Sequence, residues 1–298
     1  MKEKFLAYFG HINIDILMKV SSLPVRGSVG VNELSENYGG TAGNFAFVSS
    51  KLGFTFDLYS AVSQRTHESY LKKLESIGVS TDHVMVDKKD DGPVCYLVSD
   101  GTDQIAYVFQ GPMEKWKPSI DFSNNGYEYL HFSTGPAEEY IRIAEKKKGS
   151  SMVVFDPSQE LSYNYDRAAI LEMLTNTDIF MGNAGEIEIL REKTNIGIKE
   201  LVEMGIDVIE TRGKNGTYFY SSGTEFYIPS FYAGEPRDTT GAGDSFRAGF
   251  YFGLSNSMQI RESMALGSVV AAHAITTKID EFVPDLQLIR SEAEALIH

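Results

Sequence analysis

A glycine-rich stretch that ends in a carboxylate lies near the C-terminal end of this 298-residue chain. It reads Asp238-Thr239-Thr240-Gly241-Ala242-Gly243-Asp244-Ser245-Phe246 and precedes a helical pattern with Phe246, Phe250 and Leu254 on one face. A glycine-rich turn at the start of a helix presents unpaired backbone N–H groups and a partial positive charge, which suit an anion. The segment therefore predicts an anion site with Asp244 beside it.

Transfer of a phosphoryl group to a hydroxyl would use both parts of this segment. The amides of Gly241, Ala242 and Gly243 can stabilise charge on the transferred group, while Asp244 accepts the proton of the attacking hydroxyl. The helix terminus favours ionised Asp244. A dinucleotide fingerprint is excluded because it needs glycine where Phe246 stands. A glycine-rich turn in which the aspartate caps the helix is the alternative interpretation.

Polar residues near the N-terminus are candidates for binding a hydroxylated substrate. Asn13 and Asp15 follow the first apolar run, and Asp15 can accept two protons from a vicinal diol such as the ribose 2′- and 3′-hydroxyls. Gly39 and Gly40 would let the backbone approach a ligand closely. Asn44, one turn into the next helix, can hydrogen-bond a substrate hydroxyl. Taken one at a time, these residues also fit solvated loop or turn positions.

Two later segments combine structural and ligand-binding patterns. Asn183 and Glu186 begin a helix as a capping-box pair, and the same pair can face a metal shell. A predicted buried strand ends at Thr211, Arg212 and Gly213. Ligands bind at the carboxyl ends of parallel strands, so this segment is a candidate ligand-binding loop. Arg212 can meet phosphates or remain solvated.

Short apolar runs alternate with amphipathic segments along most of the chain, which predicts βαβ units and a mostly parallel sheet with helices on both faces. The predicted strands are Phe5–Phe9, Phe56–Ala61, Tyr129–Phe132, Met152–Phe155, Ile179–Met181 and Val208–Thr211. The predicted helices are Ala42–Leu52, Glu68–Ile77, Glu138–Lys148 and Gly185–Lys193, the first three closed by Gly53, Gly78 and Gly149.

Two regions interrupt this alternation. Strand-like pieces at Ile14–Val20 and Val29–Leu34, and a hairpin at Val94–Val98 and Ile105–Phe109, predict a small antiparallel sheet that projects as a lid. The expected division is therefore a large α/β catalytic domain of residues 1–12, 35–93 and 111–298 and a β-sheet lid of residues 13–34 and 94–110.

Composition limits the partners and the compartment. There are 27 Lys and Arg against 41 Asp and Glu, a net charge of −14, which argues against a nucleic-acid or anionic membrane surface. The one cysteine, Cys95, cannot form an intrachain disulfide. No signal-peptide core and no run of about 18 apolar residues is found, so we expect a cytoplasmic protein with no membrane span.

The chain resembles the ribokinase-like (PfkB) carbohydrate kinases, and four motifs carry the resemblance. Asp238–Phe246 is similar to the family's C-terminal signature and Gly39-Gly40-Thr41-Ala42-Gly43-Asn44-Phe45-Ala46 to its N-terminal one. Asn183-Ala184-Gly185-Glu186 matches its acidic motif and Thr211-Arg212-Gly213-Lys214-Asn215-Gly216 its nucleotide loop. Family members have a large α/β domain with a β-sheet lid, transfer the γ-phosphate of ATP and require Mg²⁺.

The resemblance assigns roles to these positions. Asp244 would be the catalytic base and Gly241, Ala242 and Gly243 the anion hole. The substrate-binding residues would be Asn13, Asp15, Gly39, Gly40, Asn44 and Gln110. The ATP-binding residues would be Thr211, Arg212, Gly213, Gly216 and Asn183, with Asn183 and Glu186 holding Mg²⁺ through water. Ser268 stands where many relatives carry an asparagine near the nucleotide.

Within the family, the chain most resembles the archaeal nucleoside kinases, through Gly10-His11-Ile12-Asn13-Ile14-Asp15, Phe155–Leu161, Gly241–Phe250 and the Gln104–Gly111 strand. That group phosphorylates the nucleoside 5′-hydroxyl and tends to accept several bases. Tyr107, Phe109 and Gln110 would then offer stacking and one hydrogen bond, and a second subunit would complete the lid in a homodimer. The alternatives are a sugar kinase acting on ribose, fructose 6-phosphate or a keto-deoxy sugar acid, with Lys19 and Arg26 available for an anion, and a non-catalytic nucleotide-binding regulator.

Overall fold

The computed structural model describes residues 4–120, 122, 126–147 and 151–297. In chain order the strands are β1 Lys4–Phe9, β2 Asn13–Val20, β3 Val31–Gly39, β4 Asp57–Ser63, β5 Val84–Asp87, β6 Val94–Ser99, β7 Gln104–Phe109, β8 Tyr127–Phe132, β9 Met152–Phe155, β10 Ile179–Asn183, β11 Asp207–Thr211, β12 Thr217–Ser221 and β13 Thr224–Ile228. The helices are α1 Thr41–Leu52, α2 Gln64–Ser76, α3 Ala137–Glu145, α4 Arg167–Leu174, α5 Ala184–Thr194, α6 Ile198–Glu203, α7 Ala242–Ser255, α8 Ile260–Ala274 and α9 Leu286–Ile297.

The large sheet has nine strands in the order β13-β12-β11-β10-β9-β8-β1-β4-β5. The strands from β11 to β5 run parallel, and β12 and β13 add an antiparallel hairpin at one edge. Helices connect the parallel strands because such strands need a crossover. The predicted α/β architecture is confirmed.

Two hydrophobic cores cover the two faces of this sheet, as the alternation of side chains along β1 illustrates. Leu6 and Tyr8 pack in one core with residues of α1, α2, α7, α8 and α9. Ala7 and Phe9 pack in the other with residues of α3, α4, α5 and α6. The parallel strands at the centre of the sheet are therefore mostly apolar, which made them recognisable in the sequence.

A separate four-stranded sheet has the order β3-β2-β6-β7. The prediction that it is antiparallel was wrong for one pair, because β2 and β6 run parallel. β3 also extends beyond the predicted Val29–Leu34 to Gly39, which lies opposite Asn13. The polar residues 35–38 carry no apolar alternation, so pairing with β2 rather than local pattern makes them a strand.

Helix ends follow capping more than hydrophobic pattern. α1 ends at the predicted Gly53, whose φ is +81°. α2 begins at Gln64, earlier than predicted, because the Ser63 side chain caps it by accepting from the Arg65 N–H. α3 ends at Glu145, and the predicted end at Lys148 and Gly149 lies outside the described residues. Within the described part of the chain, no helix has the length and apolar character required to cross a membrane.

Candidate active site

The turn before α7 places Asp244 at the start of the helix. Gly241 is the N-cap residue with a φ of +74°, a conformation that glycine adopts without strain. A Cβ at Gly241 would lie 3.0 Å from Asn44 Nδ2 and would overlap the Ile279 side chain. Glycine is therefore required here both by the backbone conformation and by the lack of space.

Two donors hold the buried carboxylate of Asp244. Asn44 Nδ2 donates to Asp244 Oδ2 over 2.9 Å, and Arg247 Nη1 lies 3.4 Å from Asp244 Oδ1. Burial raises the pKa of Asp244 to about 6, while Arg247 and the hydrogen bond from Asn44 oppose the increase. At pH 7 the carboxylate is thus largely ionised and able to accept a proton.

A cavity of about 410 Å³, here called the Asp244 cavity, joins this turn to the smaller sheet, a volume within the usual range for small-molecule sites. Four predicted substrate-binding residues line it together with Asp244, namely Asn13, Asp15, Gly40 and Asn44. Residues far apart in sequence thus meet in one site because β2 and α1 both reach the turn before α7.

Asp15 and Asn13 present unused polar atoms to the Asp244 cavity. Burial, together with the nearby charges of Asp244 and Asp238, raises the pKa of Asp15 to about 7. Asn13 Oδ1 is buried and has no hydrogen-bond partner among the described residues. Buried polar atoms are normally satisfied, so these oxygens suit hydroxyl donors supplied by a ligand.

Gly39 has a steric role that its sequence position alone does not reveal. It lies opposite Asn13 in the smaller sheet, and a Cβ at this position would overlap the Asp15 carboxylate. Gly39 therefore leaves the space that the Asp15 side chain occupies.

We expect Gly39→Ala to displace Asp15 and raise the KM for the hydroxylated substrate roughly tenfold, because one misdirected hydrogen bond to a charged group costs about 1.5 kcal/mol. Steady-state kinetics measure the change. Gly30→Ala is the matched control, since a Cβ there meets nothing within 4 Å. Equal KM values for the two variants would contradict the steric role of Gly39.

Gln110 is engaged by residues that sequence reasoning missed. His11 Nε2 lies 2.5 Å from Gln110 Oε1, and Gln110 Nε2 donates to Glu160 Oε1 over 2.9 Å. Thr134 Oγ1 lies 2.9 Å from His11 Nδ1. The network joins residues that follow β1, β7, β8 and β9, so no single sequence motif predicts it. Both polar ends of Gln110 are occupied, and it supports the wall formed by His11 and Glu160.

The register of the smaller sheet separates its aromatic residues from the Asp244 cavity. Cys95 pairs with Val108, and both line the cavity. Tyr96 pairs with Tyr107, and because side chains alternate along a strand, both tyrosines lie on the opposite face of the sheet. Tyr107 and Phe109 are at least half exposed on that outer face. The interpretation that Tyr107 and Phe109 stack on the substrate was therefore wrong, because both rings lie on the face of the sheet opposite the cavity.

Asn183 and Glu186 form the capping box at the start of α5 and also line the Asp244 cavity. The Asn183 backbone N–H donates to Glu186 Oε2 over 2.7 Å, and Asn183 Nδ2 donates to Glu186 Oε1 over 2.8 Å. Burial raises the pKa of Glu186 to about 7. The described residues include no cluster of three or more His, Cys, Asp or Glu arranged for a metal. One carboxylate and one amide fit an Mg²⁺ ion that keeps most of its waters.

A second cavity, of about 460 Å³ and here called the Ser268 cavity, lies on the other side of the α7 turn. Thr211, Gly213 and Gly216 of the predicted nucleotide loop line it. Arg212 instead stacks on Tyr218 at 4.3 Å and pairs with Glu210 at 2.7 Å. The buried Ser268 Oγ has no partner among the described residues. Much of the remaining lining is apolar and suits a flat ring, including Phe231, Phe246, Ala271, Ala272 and Ile275.

The two cavities meet at the α7 turn, where Thr211, Thr239, Ala242 and Gly243 line both. The sequence matches the pfkB family of carbohydrate kinases over residues 3–282. The chain belongs to this family. As a member of the pfkB family it is an ATP-dependent kinase, and its ribokinase-type fold agrees with the two sheets described above.

The relatives of this chain include kinases named for different acceptors. A nucleoside kinase of Thermoplasma acidophilum is 40% identical over 98% of this chain and 96% of its own length. The crystal structure of the Methanocaldococcus jannaschii nucleoside kinase has a TM-score of 0.86 and 26% identity, with 99% of both chains covered. An ATP-dependent 6-phosphofructokinase of Thermoanaerobacterium thermosaccharolyticum is 27% identical over 85% of this chain and 84% of its own.

Proposed function

We propose that this protein transfers the γ-phosphate of ATP to the 5′-hydroxyl of nucleosides and accepts several bases. The main support is that the Asp244 cavity and the Ser268 cavity meet at Ala242 and Gly243. An acceptor in the first and a nucleotide in the second would bring the hydroxyl and the phosphate together beside Asp244. The nucleoside kinase that is 40% identical supports the choice of acceptor.

Each step is assigned to residues of the Asp244 cavity. Asp15 accepts hydrogen bonds from the ribose 2′- and 3′-hydroxyls, and Asn13 adds a further acceptor. These hydrogen bonds direct the 5′-hydroxyl to Asp244. Asp244 accepts the hydroxyl proton as the 5′-oxygen attacks the γ-phosphorus of ATP. The backbone amides of Gly241, Ala242 and Gly243 stabilise the charge on the phosphoryl group. Positioning and charge stabilisation are the principal contributions that phosphoryl transfer requires of a protein.

Mg²⁺ is the expected cofactor, and Asn183 and Glu186 would hold it through water. The ion would neutralise charge on the phosphates of ATP. A cation near Glu186 would also keep this buried carboxylate ionised.

The charge of the Asp244 cavity favours an uncharged acceptor. Of the described residues that line it, four are carboxylates, Asp15, Glu160, Glu186 and Asp244, and one, Arg247, is a permanent cation. Lys19, considered above as a partner for an anionic sugar, is exposed and pairs with Glu33 at 3.1 Å. A phosphorylated sugar or a sugar acid would enter against this charge, whereas a nucleoside or ribose would not.

An acceptor panel tests the proposal. Purified protein with ATP and Mg²⁺ should convert adenosine, inosine or cytidine to a 5′-monophosphate, detected by coupled ADP release and by product chromatography. Ribose, fructose 6-phosphate and a keto-deoxy sugar acid are assayed in parallel. Turnover of a sugar without turnover of any nucleoside would establish the sugar-kinase alternative, and no turnover of any acceptor would favour a regulator.

Nucleoside affinity should increase from pH 6 to pH 8. The pKa of free Asp15 is about 7, and hydroxyl donors favour its ionised form, so binding lowers this pKa and releases a proton below pH 7. The dissociation constant should rise up to about tenfold per pH unit below 7. Titration calorimetry in buffers of different ionisation enthalpy measures the proton release. Asp15→Asn should bind weakly with no such release, and identical buffer dependence in both proteins would refute the linkage.

The smaller sheet is proposed to act as the lid over the Asp244 cavity, with its strands β2, β3, β6 and β7 forming a division separate from the α/β domain. Lid closure would exclude water from the phosphoryl group. A cytoplasmic location fits this reaction, because ATP is abundant there.

The outer face of the lid is proposed to pair with the same face of a second copy in a homodimer. Leu34, Tyr107 and Phe109 are exposed on this face, and Tyr96 and Ile105 extend the apolar surface. A contiguous exposed apolar surface of this kind is typical of a protein interface.

Tyr107→Asp is expected to convert the homodimer to a monomer in sedimentation velocity, because it would bury a charge without a partner. Val25→Asp is the control, since Val25 is 98% exposed and lies outside the four strands. A wild-type protein that sediments as a monomer at micromolar concentration would reject the dimer.

A further inference from the structure

Arg247 occupies an unusual place behind the catalytic turn. It lies one helical turn after Asp244 on α7, and its side chain is 9% exposed. Its Nε and Nη2 donate to the two oxygens of the Asp156 carboxylate, the second over 2.5 Å, and its Nη1 lies 3.4 Å from Asp244 Oδ1. The planar guanidinium thus makes a two-point contact with one carboxylate and reaches the other.

Asp156 is fixed in turn by a second layer of buried groups. It follows β9, is fully buried, and its Oδ2 lies 3.3 Å from His131 Nε2 on β8. His131 Nδ1 lies 2.9 Å from the Tyr251 hydroxyl on α7. Burial disfavours the charge of Asp156, but Arg247 and His131 outweigh it and lower the pKa of this carboxyl. The ionised form of Asp156 is therefore favoured, and its two-point contact holds the guanidinium in position.

The guanidinium also lies directly under the glycine turn. A Cβ at Gly243 would be 2.5 Å from Arg247 Nη1, so glycine is needed at this position to make room for the arginine. Arg247 also lines the Asp244 cavity. The turn whose amides face the incoming phosphoryl group therefore has a fixed positive charge behind it.

We propose that Arg247 is a positioning residue for the reaction: anchored by Asp156, it fixes the Asp244 carboxylate in the orientation that receives the hydroxyl proton and places positive charge under the Gly241–Gly243 turn. This rests on the proposed function of Asp244 as the base. A buried ion pair that only joins α7 to the end of β9 would not need the third contact, to Asp244, or the space at Gly243.

This arrangement predicts that removing Arg247 and removing Asp156 shift the pKa of Asp244 in opposite directions. Other charged or titratable groups that influence this region are Glu186 on α5, Asp15 on β2 and Tyr8 on β1. Arg247 lowers the pKa of Asp244 and Asp156 raises it. Arg247→Met should therefore raise the pKa of Asp244 above its starting value of about 6, and Asp156→Asn should lower it.

The test measures this pKa directly by ¹³C NMR of protein labelled at aspartate carboxyls, with Asp244→Asn used to assign the signal. The two variants should shift the pKa in opposite directions, and Arg247→Met should lower kcat about 10–10²-fold while nucleoside KM changes less than about threefold. Arg191→Met removes an exposed arginine that pairs with Glu188 three residues earlier and should change neither quantity.

Several outcomes would overturn the role of Arg247. If the pKa of Asp244 is unchanged in folded Arg247→Met and Asp156→Asn proteins, the Arg247–Asp156 pair has only a structural role. If Arg247→Met does not fold, the test rests on the Asp244 pKa in Asp156→Asn. A pKa that rises or does not change in that variant refutes the proposal. The NMR titration needs no substrate, so a wild-type enzyme inactive on nucleosides would reject the proposed function without removing this test.

Discussion

Replacing Asp244 by asparagine is expected to lower kcat by about 10²–10⁴-fold with little change in nucleoside affinity, because the variant keeps the shape of the side chain and loses the proton acceptor. At saturating nucleoside, the wild-type enzyme should lose kcat below about pH 6, the pKa of the buried carboxyl, as the base becomes protonated. The residual activity of Asp244→Asn should lack this acid limb. Rapid-quench and steady-state kinetics from pH 5 to 9 measure both effects.

Asp166→Asn is a suitable control for that substitution. Asp166 caps α4 by accepting from the Ala169 N–H, and asparagine caps helices equally well, so turnover should remain at the wild-type value. Unchanged turnover in Asp244→Asn would remove Asp244 as the base. A loss of nucleoside affinity equal to the loss of kcat would instead give it a binding role.

Asp15→Ala is expected to reduce kcat/KM for nucleosides by about 10²–10⁴-fold, mostly through KM, because two hydrogen bonds to a charged group are lost at roughly 1.5–3 kcal/mol each. The KM for ATP should change little, since Asp15 does not line the Ser268 cavity. Initial-rate kinetics with each substrate varied in turn measure the two constants separately.

Two comparisons make this result specific to the ribose diol. A 2′,3′-dideoxynucleoside should be a poor acceptor for the wild-type enzyme and should lose little further activity with Asp15→Ala. Asp103→Ala, at the exposed tip of the β6–β7 hairpin, is the control on the same sheet. An effect of Asp15→Ala on the KM for ATP alone would contradict the assignment.

Much of the fold was predictable because the amino-acid composition of a buried strand reflects how many of its faces are covered. Strands such as Met152–Phe155 are covered on both faces and are therefore apolar throughout. The candidate turn was predictable for a similar reason, since a glycine at φ +74° followed by a first-turn aspartate leaves a local signature. Positions fixed by backbone geometry are thus visible in a single segment.

Contacts between distant segments left no such signature. The Arg247–Asp156 pair joins residues 91 positions apart, and neither residue stands in a segment whose pattern requires the other. Gln110 was predicted to meet the substrate, yet its orientation depends on His11 and Glu160. The outward direction of Tyr107 follows from the register of β6 and β7, which the sequence does not determine.

The carboxylates of the Asp244 cavity also bear on how the catalytic cycle ends. A nucleoside enters uncharged, but its monophosphate carries a charge of about −1.5 to −2 at neutral pH. Asp15, Glu160 and Glu186 line the cavity that then holds an anion, and Arg247, the permanent cation in its described lining, is already shared between two aspartates. We therefore expect the cavity to bind the phosphorylated product less tightly than these charges allow it to bind the nucleoside, which would limit inhibition by accumulated nucleotide.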